Sequence, residues 1–156
     1  AYWIPDNISS ANSYGFDCLF RANSIYNTTL HGSYSFLITE NFNNSLDNIH
    51  QGKQLLYTPT HSADITFISI IKYAQIMYHV KYTGSRLYSY NWPQDNALPG
   101  YISSNLSILV PIHKNKYSID AHMKIENLMN VQYQSIHGFP DPGISITLTL
   151  TINESQ

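Results

Sequence analysis

The sequence predicts an all-β chain, an antiparallel up-and-down sheet whose strands each carry one apolar and one polar side. Three observations predict it: strict alternation of residue type, strands longer than the about five or six residues usual in globular sheets, and connections that alternate between short and long. The alternation is clearest near the end of the chain. From Tyr117 to Ile125 the odd positions are Tyr117, Ile119, Ala121, Met123 and Ile125, set against Ser118, Asp120, His122, Lys124 and Glu126. From Ile144 to Ile152 the even positions are all Ile or Leu, and the odd ones are Ser145, Thr147, Thr149 and Thr151. Successive side chains on a strand point to opposite faces, so each segment has two chemically distinct sides. A side with Asp, His, Lys and Glu together is open to water, and the apolar side must meet a protein core or lipid.

Seven strands are expected in order: Ser13–Asn23, Thr29–Glu40, His61–Lys72, Gln75–Arg86, Tyr101–Ile112, Lys116–Leu128 and Gly143–Ile152. In the second, Leu30, Gly32, Tyr34, Phe36 and Ile38 oppose His31, Ser33, Ser35 and Thr39, with Leu37 the exception. The third is the weakest, because Ile68 and Ile70 fall on its otherwise polar side with Asp64 and Thr66. In the fourth, Ile76, Tyr78, Val80 and Tyr82 oppose His79, Lys81 and Thr83. No helical period competes. The strand lengths suit the roughly nine to eleven residues that a tilted strand needs to cross a bilayer.

Tight links are expected around Ser24–Thr28, Tyr73–Ala74 and His113–Asn115, and long ones near Asn41–Thr60, Leu87–Gly100 and Met129–Pro142. Short and long alternate strictly, as the periplasmic turns and extracellular loops of outer-membrane barrels do. With short turns on the periplasmic side, the first strand enters from outside and the seventh ends in the periplasm. Closed bacterial barrels have an even number of strands, so seven implies at least one more upstream. The expectation is an incomplete transmembrane β-barrel, residues 1–156 being its C-terminal portion.

Composition narrows the classes. Charged residues are only 12% and aromatic ones 13%, with 13 Tyr, which suits a sheet with an aromatic-rich surface. A net charge of −2 without a Lys/Arg cluster gives nucleic-acid binding no electrostatic basis. Cys18, the only cysteine, excludes an internal disulfide. No apolar run reaches the length of a transmembrane helix, and there is no initiator Met or signal sequence. The 7 His are scattered without metal-ligand spacing. No phosphate-binding Gly-rich loop, nucleophile elbow or Cys–His signature is present, and Asp120, Lys124 and Glu126 read as a hydrated wall. The expectation is a protein that is no enzyme and carries no cofactor. Tyr57, Tyr88, Tyr90, Trp92, Tyr101 and Tyr133 lie near long loops, and Tyr26, Tyr73 and Tyr117 near short turns, where amphipathic rings suit the headgroup level.

Three ordered segments carry a family resemblance: LPGYISSNLSI (Leu98–Ile108), IENLMNVQYQ (Ile125–Gln134) and HGFPDPGISI (His137–Ile146). Together they resemble the C-terminal end of TonB-dependent outer-membrane receptors. WIPDN (Trp3–Asn7), LLYTPTHSADI (Leu55–Ile65) and KYTGSRLY (Lys81–Tyr88) fit the same pattern, so the resemblance spans essentially the whole chain. Ile144 departs from the usual Arg after Pro-Gly, and Ile152 stands roughly where the family has a strand-terminal aromatic. The resemblance implies a Gram-negative outer membrane, a plug domain upstream, energy from the TonB complex, and partners in lipid and the barrel-assembly machinery. It also implies a large scarce cargo such as a siderophore, haem or cobalamin. Loops carry recognition on a rigid scaffold, so Arg86, Tyr90, Trp92, Asp95 and Tyr133 are the candidate cargo contacts. The alternative is a soluble barrel or sandwich that binds a small ligand, with the apolar side turned inward.

Overall fold

A computed structural model describes residues 10–24, 27–42, 51–90, 96–114 and 117–154. Among these it is all-β, without a helix. Seven long strands form one antiparallel sheet: β1 (Ala11–Ser24), β2 (Thr28–Asn41), β3 (His61–Ile71), β4 (Ala74–Thr83), β7 (Tyr101–Lys114), β8 (Tyr117–Glu126) and β11 (Ser145–Glu154). They pair in that order, so the sheet is a meander in which every long strand neighbours the next. It is open: β1 and β11 are its two edges, and they do not pair with each other. All seven expected strands are present, and their bounds differ from expectation mostly by one or two residues.

The register aligns the alternations of separate strands into two faces. One row of paired residues crosses the whole sheet as Ala22, Leu30, Phe67, Tyr78, Leu106, Ile125 and Ile146. The next row, on the other face, reads Asn23, Thr29, Ile68, Met77, Ser107, Lys124 and Thr147. Further rows on that face bring together Arg21, His31, Thr66, His79 and Asn105, and Ser33, Asp64, Lys81 and Ser103. A slip of one residue in any pairing would move a strand's apolar set to the polar face, so the pattern itself fixes the register. Leu37, Ile68 and Ile70 lie on the polar face, as the broken alternation of β2 and β3 required. Ser69 and Ser104 are the converse, serines on the apolar face, and both are buried.

Among the described residues no core lies against the sheet. The one buried hydrophobic side chain among the described residues is Leu98, in a loop. The apolar face is open, with Ile146 63% exposed, Leu148 75% and Leu150 72%. Gly32 is covered by the ring of its cross-strand neighbour Phe20, whose Cε1 would lie 2.0 Å from a Cβ there. Aromatic side chains laid over glycines help hold register in curved sheets.

The structure corrects the fourth strand, expected to run to Arg86. It ends at Thr83 because Gly84 turns against β3: its N–H donates to the His61 carbonyl at 2.9 Å, and a Cβ would lie 2.6 Å from that oxygen. Arg86 instead opens a separate short ribbon. This ribbon, β5 (Arg86–Ser89) with β6 (Asn96–Leu98), lies in the second long connection, and β9 (Gln134–Ile136) with β10 (Phe139–Pro140) lies in the third. The first long connection folds back on β2, where the Asn41 and Leu55 N–H groups bond the carbonyls of Lys53 and Thr39. The opposite end has tight reversals, with Asn27 and Lys72 in the left-handed region.

Candidate ligand site at the loop end

All three long connections leave the same end of the sheet and bond to one another there. The Tyr57 N–H donates to the Leu87 carbonyl at 2.7 Å, and the Tyr90 hydroxyl to the Gln54 carbonyl at 2.7 Å, tying the first loop to the second. Arg86 Nη2 donates to the Gln134 carbonyl, tying the second to the third. Tyr88 also stacks on His137, with ring centroids 3.8 Å apart and planes 6° from parallel.

Between the two ribbons lies a cavity of about 550 Å³ whose lining includes Tyr88, Leu98, Tyr101, Gln132, Tyr133, Gln134 and His137. That falls within the roughly 300–1,000 Å³ of small-ligand sites. Its walls are two stacked pairs, Tyr88 with His137 and Tyr101 with Tyr133, the latter at 4.0 Å and 10°. Burial pushes the Tyr133 phenol above the usual tyrosine range, helped by the negative charge of Asp141 and smaller contributions from Tyr101 and Glu126.

Asn127 and Asn130 hold this loop to the sheet. Both adopt left-handed backbone, at φ 50° and 51°. Asn127 is 4% exposed, and its side chain donates to the Val131 and Pro142 carbonyls at 3.0 and 3.2 Å and accepts from the Val131 N–H at 2.9 Å. The Asn105 side chain in turn accepts from the Asn127 N–H at 3.1 Å. Asn130 accepts from the Ile144 N–H at 3.2 Å, fixing the approach to β11. Asn tolerates left-handed backbone better than most residues, and its amide can both donate and accept. The Asn-Leu-Met-Asn segment is therefore a latch at the root of the third loop.

The predicted contacts separate in the structure. Tyr133 lines the cavity. Arg86 lies behind the wall, its guanidinium carbon 5.2 Å from the centre of the Tyr101 ring. Tyr90 is turned toward the first loop, where Lys53 Nζ lies 5.7 Å from its ring centre. Trp92 and Asp95 fall outside the described residues. Tyr101 pairs with Thr83 on the polar face, so its ring serves the cavity and not the apolar rim. The rim has its own rings at β1–β3: Phe16, Tyr34 and Phe36 with His61, whose Nδ1 lies 2.8 Å from the Tyr34 hydroxyl. Sequence reading missed this cluster because it looked for rings near loops and not on aligned strand rows. His137 and Gln134 were missed as site residues as well; their place in the resemblance motifs was the available signal.

Among the described residues no three His, Cys, Asp or Glu side chains gather to hold a metal ion. The described lining offers aromatic ring faces, side-chain amides, phenol hydroxyls and the His137 imidazole. No protein-family model matches the chain, and no curated protein sequence matches it.

Proposed function

We propose that the chain is part of the wall of a TonB-dependent receptor in a bacterial outer membrane, with the three joined loops facing outward to meet cargo. The observation that carries this reading is the apolar row crossing all seven strands on an uncovered face, set against a charged opposite face. A membrane strand must pair every backbone group with a neighbour while showing lipid one side chemistry and water the other. A meander does this at lowest loop length, and its two edges then call for further strands of the same barrel. In this reading the complete barrel has about twenty-two strands around a plug, and the proton gradient, acting through TonB, drives a large metal chelate or similar nutrient inward. No bond is made or broken, so the protein is a transporter and not an enzyme.

Fractionation and transport test the reading together. The full-length protein should sediment with outer membranes after an alkaline wash and migrate differently on gels before and after heating. Uptake of its radiolabelled chelate should stop when the proton gradient is collapsed. Recovery in the soluble fraction would refute the membrane assignment, and uptake that persists without the gradient would refute TonB coupling.

A further inference from the structure

Behind the wall of the loop-end cavity sits a buried cation that no carboxylate pairs with among the described residues. Arg86 is 5% exposed. Its guanidinium touches two residues that line the cavity, lying over the Tyr101 ring and donating through Nη2 to the Gln134 carbonyl. Its Nη1 is buried without a hydrogen-bond partner, and among the described residues no carboxylate pairs with it. A buried charge is unfavourable unless paired, and a ring face and one carbonyl compensate a guanidinium only in part. Among the described residues the cavity lining contains no Asp, Glu, Lys or Arg. Asp141 acts on Tyr133 from nearby, but it is only half-buried, it already accepts a bond from the Ser135 N–H, and solvent screens it more than Arg86.

We propose that this cavity takes a small organic anion carrying its negative charge beside a flat ring, and that Arg86 is the residue that selects for the charge. The ring fits between the stacked pairs Tyr88–His137 and Tyr101–Tyr133, and the anion supplies the missing counter-charge through the wall. The inference rests on the loop end being the cargo-facing surface proposed above.

The test uses the full-length protein in detergent micelles, titrated with 1-naphthoate and its neutral analogue 1-naphthylmethanol by fluorescence. Naphthoate should bind at least about tenfold more tightly, the scale expected for one poorly screened charge. Arg86→Gln should remove that preference, weakening naphthoate more than the alcohol, and Arg86→Lys should keep part of it. Gln132→Glu, which adds a negative charge to the lining and leaves the Arg86 side chain in place, should weaken naphthoate relative to the alcohol by a similar factor. This second variant decides the matter if Arg86→Gln does not fold. Equal binding of the two probes, or variants that weaken both equally, would overturn the proposal. A membrane-inserted protein without the preference refutes this inference alone, and a soluble protein with it refutes the receptor reading alone.

Discussion

Replacing Leu148 by Lys is expected to lower stability in a bilayer by about 2–4 kcal/mol, whereas Thr149→Lys, one residue along, should change it by less than about 1 kcal/mol. The two positions sit side by side on β11 but on opposite faces. Leu148 pairs with Met123 and Thr149 with His122. Leu148 is 75% exposed, so the loss would come from placing an ammonium in hydrocarbon and not from a packing clash. Thr149 belongs to the face that already holds Asp120, Lys124 and Glu126, where another charge meets water. The measurement is the denaturant midpoint of the protein folded into lipid vesicles. Equal effects at both positions would mean that the two faces share one environment.

The second large effect is expected at Asn127. Asn127→Ala removes three side-chain hydrogen bonds and leaves a β-carbon residue at φ 50°. Orphaned buried groups and left-handed strain together should destabilise the loop root by about 2–4 kcal/mol. Asn127→Gly keeps the backbone free of strain but loses the same bonds, so it should recover about 1 kcal/mol of that loss. Hydrogen exchange at the Val131 and Ile144 amides reads the effect locally. Unchanged protection at Val131 in the Ala variant would contradict the latch.

The long strands were legible in the sequence because a period of two over ten residues is hard to mistake, and because both faces had to be consistent within each strand. What the sequence could not supply was the end of a strand set by a contact from afar. Nothing local to Arg86 says that Gly84 is held against the His61 carbonyl. The short ribbons β5–β6 and β9–β10 were equally hidden, since two to four residues carry no period. The cavity joins Tyr88 to His137 and Tyr101 to Tyr133, residues far apart in the chain that only the shared loop end brings together. Asn127 and Asn130 were visible as parts of a motif, but their role depends on left-handed backbone that a motif does not reveal. Tyr34 and Phe36 were placed on the apolar side of their own strand, yet their meeting with Phe16 and His61 needed the register.

In a receptor wall the uncovered apolar face meets lipid and not another layer of protein, a distinction the Lys substitutions do not make because a protein core would also reject a charge. Tryptophan placed at Leu148 and, separately, at Thr149 makes it directly, in the full-length protein reconstituted with lipids brominated along their acyl chains. The Leu148→Trp emission should be strongly quenched by the bromines and the Thr149→Trp emission should not. Quenching at Thr149 but not at Leu148, or at neither position, would contradict the lipid-facing placement.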